Sequence, residues 1–240
     1  MSKIGAVISK EVRSYLNTPI AYIAVLFFVV FSSAWFFFFH QFFARDMATL
    51  RGFFSTMPLI FIGIIPALTM RIWAEERKMK TDEIILTLPY KEWQLVAGKF
   101  LSILILLTGA LVLTVPVPLT VVPLGNFEAG EIAGEYLGIL LLGGAGIAVG
   151  QFVSSVAKNQ ISAYIFSVIA LLFFTLIGQL TIAADLPVWL GNLINYISLD
   201  YHFTSFEKGL IDTRDLGYFL LMILFFLTLN TQALKFRKWK

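Results

Sequence analysis

The sequence contains no cysteine. Disulfides, thiol nucleophiles and cysteine-ligated metals are therefore excluded, whatever the compartment. Histidine is almost missing as well: with only His40 and His202, no histidine-rich metal site can be built. Charge is scarce, at 14% of residues, against about 25% in an ordinary globular domain. A phosphate-binding loop is absent. Gly98-Lys99 runs into Phe100, and Trp93 stands where GxxxxGK[ST] needs its first glycine. The chain is thus read as no enzyme by itself, unable to hydrolyse ATP and binding no cofactor.

What the chain has in abundance is apolar surface. Hydrophobic residues make up 58% of its 240 positions, and phenylalanine alone occurs 24 times. A soluble fold could not hide such long apolar runs, so the sequence describes an integral membrane protein. Ser32-Ser33-Ala34 resembles a signal-peptide cleavage site, but Trp35 to Phe39 continue the same apolar run, which predicts an uncleaved first span. Spans long enough for a roughly 30 Å hydrocarbon core are expected over residues 20–43, 53–73, 93–122, 132–156, 161–183 and 216–234. Pro58 and Pro66 predict a kink near Ile62, and Pro116, Pro118 and Pro123 loosen the far end of the third span. In the fourth span Gly146 and Gly150 form a GxxxG pair extended by Gly143, a face that lets another helix approach closely.

Two segments read as surface helices. Residues 1–17 place Ile4, Val7, Ile8, Val12, Tyr15 and Leu16 at helical spacing, with Lys3, Lys10, Glu11 and Arg13 on other faces. Such a helix lies among headgroups, its basic residues toward anionic lipid. Within residues 184–215, Leu186, Leu190, Leu193, Ile194 and Ile197 repeat in the same way beside Trp189 and Tyr196, residues that favour the interface. The expected fold is an all-α membrane protein forming one domain over residues 1–240. It has six transmembrane helices and an N-terminal amphipathic interface helix.

Orientation follows from the cations. With the N-terminus in the cytoplasm, fourteen of the 18 Lys and Arg residues fall in inside segments. Only Arg45, Arg51, Lys208 and Arg214 fall outside. Both termini and residues 74–92 are therefore expected in the cytoplasm, and residues 184–215 on the far side. Ionisable groups are few within the spans, which argues against a proton relay. His40 reads as an interfacial residue and Glu135 as one within reach of headgroups. Gln179 could line a path or make an interhelical hydrogen bond.

The densest charge lies in Arg71–Lys99, RIWAEERKMKTDEIILTLPYKEWQLVAGK, between the second and third spans. A tight turn would have sufficed for topology. A charged helix with the apolar stripe Ile84, Ile85 and Leu88 suits a protein groove. The pattern E-E-R-K-x-x-T-D-E-I-I-L-T-L-P, followed by Q-L-V-x-G-K, resembles the first cytoplasmic loop of ABC-2 type transporter permeases. Further segments are similar to the gliding-motility-associated permease subfamily: Pro66 to Arg71, Lys158 to Ile161, Asp200-Tyr201-His202, Gly209 to Asp215 and Arg237-Lys238-Trp239.

The resemblance implies a permease subunit of an ATP-binding-cassette transporter in a bacterial inner membrane, serving export. It implies pairing with a second permease, as homodimer or heterodimer, and two separate ATPase subunits that carry ATP and Mg. Membrane lipid is the remaining partner, and no nucleic acid is expected. The loop would be the coupling helix, with Glu75, Glu76, Arg77, Thr81, Glu83, Leu86, Leu88 and Pro89 at the ATPase interface. A non-transporting anchor or scaffold of a motility or envelope complex is the alternative with the same topology. A secondary carrier would need an internal repeat, and residues 1–120 and 121–240 show none.

Overall fold

The apolar segments dictate helices, because backbone groups in lipid must be satisfied within their own segment. The computed structural model describes residues 3–40, 49–81, 90–125, 128–179, 181 and 187–238, and among these no strand occurs. The helices are α1 (Lys3–Leu16), α2 (Pro19–Phe39), α3 (Arg51–Lys78), α4 (Glu92–Leu124), α5 (Ala129–Val156), α6 (Gln160–Leu176), α7 (Val188–Ile197), α8 (Leu199–Phe206) and α9 (Thr213–Lys238).

Local chemistry sets the boundaries. Thr18 is extended and Pro19 opens α2, where its missing N–H costs nothing. Asn159 caps α6 by accepting the Ser162 N–H at 2.8 Å, and Ser198 caps α8 through the Tyr201 N–H at 3.3 Å. The aromatic run Trp35–Phe39 winds as a π-helix that ends with the His40 N–H on the Trp35 carbonyl. In α4 the regular helix stops at Thr114, resumes at Pro116 and finishes as a 3₁₀ turn over Val122–Leu124, as three prolines in that end require. α3 carries Pro58 and Pro66 within its length. It stays helical through Ile62 and Pro66, and its turns fall at Ser55-Thr56 and at Met70.

Five helices, α2, α3, α4, α5 and α9, are long and apolar enough to cross a membrane. The expected fifth span corresponds to α6, a shorter apolar helix of 17 residues, or roughly 25 Å at 1.5 Å per residue. α3 and α5 are the most deeply buried spans, while α2 and α9 leave most of their surface outward. α5 packs against α9, α6, α3 and α4 and is the centre of the bundle.

One polar residue sits differently from expectation. Glu135 is 2% exposed. α5 starts at Ala129, so Glu135 lies well inside the helix and turned toward the interior instead of the headgroups. His40 meets Thr56 at 3.3 Å, tying the end of α2 to the start of α3. Gln179 is exposed.

Candidate coupling site

Three helices meet where the charged stretch begins and ends. On α4 the buried stripe Leu95, Lys99, Ile103 carries a lysine in its middle. On α1 the corresponding stripe Val7, Glu11, Tyr15 carries a carboxylate. On α3, Glu76 follows buried Ile72 by one turn. Burying a charge is costly unless it is paired and hydrogen-bonded, and here it is. Lys99, 3% exposed, donates to Glu76 Oε1 at 2.6 Å, the Ile72 carbonyl at 3.0 Å and Glu11 Oε1 at 3.2 Å. All three ammonium protons are used, and Nζ also stands 4.6 Å from the centre of the Trp73 ring.

Further bonds hold α1 in place. The Tyr15 hydroxyl donates to the Leu68 carbonyl at 2.9 Å. Burial first, and then the charge of Glu11, push its pKa upward, so the group stays a donor. Gly98 permits the contact between α1 and α4, since a β-carbon there would lie 2.7 Å from Val7 Cγ1. Val7 is β-branched and cannot swing aside easily. Gly98→Ala is therefore expected to cost about 1–2 kcal/mol, overpacking offset in part by helix propensity. Val7→Ala should recover much of that loss; thermal denaturation of the single and double variants measures both.

The expected interface residues separate by partner. Glu75 accepts a forked pair of bonds from Arg71 at 2.6 and 2.8 Å. Glu76 belongs to the Lys99 junction. Arg77 turns toward the end of α5, donating to the Ser155 carbonyl at 2.5 Å and to the Ala157 carbonyl. Carbonyls in a last helical turn have no intrahelical donor, so Arg77 caps α5. The Thr81 N–H reaches the Glu76 carbonyl at 2.9 Å and the Lys80 N–H the Arg77 carbonyl at 3.1 Å, with Lys80 at φ 55°. That is a Schellman end to α3 with lysine in the place usually given to glycine. Lys78, Met79 and Lys80 are the exposed residues there. Glu83, Leu86, Leu88 and Pro89 lie outside the described residues.

The glycine face of α5 points at α3 and α4. A β-carbon on Gly143 would strike Leu107 and meet Phe61, one on Gly146 would lie 2.7 Å from Ile65 Cδ1, and one on Gly150 would strike Thr69. Ser154 continues this seam, accepting from the Trp73 and Ala74 N–H groups at 3.2 and 3.3 Å. The Gln151 amide donates to the Val96 carbonyl at 3.0 Å. The Lys99 junction is thus joined to α5 through both α3 and α4.

At the opposite end of the bundle, a second polar cluster joins the consecutive helices α8 and α9. His202 Nδ1 lies 2.6 Å from Asp215 Oδ1, its Nε2 lies 3.2 Å from the Tyr196 carbonyl, and its ring stacks 3.8 Å from that of Tyr218. Gly209, at φ +69°, makes the turn beside Glu131, where a side chain has neither room nor a comfortable backbone. Among the described residues no group of three or more His, Asp or Glu is placed to hold a metal.

These features define a helical, multi-pass membrane protein with a charged three-helix junction at one end of its bundle. Residues 46–235 match the family described as ABC-2 family transporter protein, and the chain belongs to that family. It is also 29% identical over 153 residues to a protein of Escherichia coli strain K12 named "Probable multidrug ABC transporter permease YbhR", and equally to its counterpart in E. coli O157:H7. The match takes in 61% of this chain and 39% of those relatives, so the chain spans well under two thirds of their length.

Proposed function

We propose that the chain is the membrane-spanning permease subunit of an ATP-driven exporter, working with separate ATPase subunits and a second permease. The observation that carries this reading is the Lys99 junction. A charge buried between α1, α3 and α4 makes the end of α3, the surface helix and the start of α4 a single body. A force applied at the exposed tip of α3 is then passed to two spans instead of being absorbed by a loop. In this reading there are six spans, with α6 as the fifth, and both termini lie in the cytoplasm of a bacterial inner membrane; the distribution of cations supports the orientation and the family supports the membrane. The narrower kinship with gliding-motility permeases rests on the segments quoted above, of which Asp200 to His202 and Gly209 to Asp215 meet at the His202–Asp215 pair.

The tip is tested at Lys78 and Lys80, which are exposed, and not at Glu76 or Arg77, whose substitution would disturb the fold. Lys78→Glu with Lys80→Glu is expected to cut recovery of the co-purifying ATPase at least severalfold while the permease keeps its thermal stability. Unchanged ATPase recovery and unchanged transport would defeat the coupling role. Recovery of envelope proteins with no ATPase would favour the anchor or scaffold.

A further inference from the structure

Between α1 and the end of α3 lies a cleft of about 360 Å³, in the range of small-molecule sites. Its position is set by the spans. One wall runs along α1 from Lys10 and Glu11 to Thr18, directly before the start of α2 at Pro19, and the other, with Arg71, Glu75 and Glu76, stands at the end of α3. The opening is therefore at the level where an apolar core gives way to headgroups. Leu16 at the end of α1 and Ile20, Ile23 and Leu26 on the neighbouring α2 are exposed, apolar surface of the kind acyl chains cover.

The charges in the cleft are mixed, and each sign has bonding capacity left. Arg71 spends Nε and Nη2 on Glu75, and among the described residues its Nη1 makes no hydrogen bond. Lys10, 63% exposed at its side chain, approaches Glu11 at 3.4 Å and Glu76 at 3.8 Å, which are ion-pair distances only. These donors suit a phosphate. Glu11 and Glu75 each retain acceptor positions beyond those filled by Lys99 and Arg71, since a carboxylate offers about four. A purely anionic ligand would meet three carboxylates here, and a purely cationic one Lys10 and Arg71.

We infer that this cleft holds the head group of a zwitterionic phospholipid bearing a primary amine. Its phosphate lies toward Lys10 and Arg71 and its ammonium toward Glu11 and Glu75. A quaternary ammonium has no N–H to give those carboxylates, so phosphatidylethanolamine is favoured over phosphatidylcholine, and both its charges over the single charge of phosphatidylglycerol. The inference requires only that α2 and α3 lie in a bilayer. It is independent of whether the chain transports.

The test is the thermal unfolding midpoint of the purified full chain in detergent with each of these three lipids added at equal mole fraction. At about ten times the dissociation constant, phosphatidylethanolamine is expected to raise the midpoint by about 3–6 °C relative to phosphatidylcholine. Lys10→Gln should remove most of that increment, and Lys10→Gln with Glu75→Gln all of it. Lys158→Gln, an exposed cation at the end of α5, should leave it intact. Native mass spectrometry of the same samples should show retained phosphatidylethanolamine lost in parallel, a readout that survives a change in baseline stability. Equal shifts from the three lipids, a larger shift from phosphatidylglycerol, or an increment untouched in the double variant would overturn the assignment. A full shift from glycerophosphoethanolamine, the head group without chains, would overturn the lipid and leave a soluble phosphoamine.

Discussion

Lys99→Met is expected to destabilise the protein by about 3–5 kcal/mol, seen as a large drop in thermal midpoint. The loss comes from what is left behind. Glu11 and Glu76 both bond the Lys99 ammonium, with side chains only 12% and 15% exposed. Without the lysine the two carboxylates face each other across a poorly solvated junction where, among the described residues, the exposed Lys10 is the one cation paired with them. The same physics predicts a rescue. Replacing the whole set, Glu11→Leu and Glu76→Leu with Lys99→Met, removes every stranded charge. It should return stability to within about 1 kcal/mol of the natural chain, because a buried ion pair often gains little over apolar packing. If the triple variant is no more stable than Lys99→Met, the charges are not compensating one another.

The second large effect is expected along the α5 seam. Gly150→Val must push Thr69, which is fully buried and holds the Ile65 carbonyl through its own hydroxyl at 2.9 Å. Gly143→Val must push Leu107 and Phe61 at the same interface. Each is expected to cost about 1–3 kcal/mol. The two positions are about 10 Å apart along the helix, far enough for their costs to add. Denaturation of the single and double variants measures this. A double variant as stable as the natural chain would mean that the α3–α5 contact is looser than drawn. Gly130→Ala, where an added β-carbon meets nothing, serves as the control.

The sequence made the helices easy to find and the junction hard. Apolar runs bounded by Pro19, Asn159 and the prolines after Thr114 lead directly to element ends, because proline and capping chemistry act locally. The glycine face of α5 was also legible as a packing surface, though nothing local says that it meets α3 and α4. Pro66 is carried within a helical stretch that runs over Met57–Thr69, and the first break after it comes at Met70.

Glu11, Glu76 and Lys99 pack together, and a local reading of the sequence places none of them in that packed set. Helical spacing alone sets Glu11 on a face apart from the apolar residues of α1, and it leaves Glu76 and Lys99 as charges of a cytoplasmic stretch. The spacing held a contrary signal. Glu11 lies four residues from both Val7 and Tyr15, Lys99 four from Leu95 and Ile103, and Glu76 four from Ile72, all of them buried. An ionisable residue inside an apolar i, i+4 stripe belongs to the packed face. Which opposite charge it meets is a matter of tertiary contact across 88 and 23 positions of sequence, which no local pattern contains. The same holds for His202 with Asp215 and for Arg77 with the end of α5.

The central claim is that the Lys99 junction drives the spans as well as holding them. The triple apolar variant separates the two roles, since it should keep the fold while removing the charged linkage between α1, α3 and α4. The measurement is ATP hydrolysis and substrate movement by the variant reconstituted in vesicles with the ATPase subunits proposed for it. Normal assembly and stability are expected, with ATP hydrolysis no longer producing transport. Transport at the natural rate from a stable triple variant would contradict it and leave the junction a purely structural clamp.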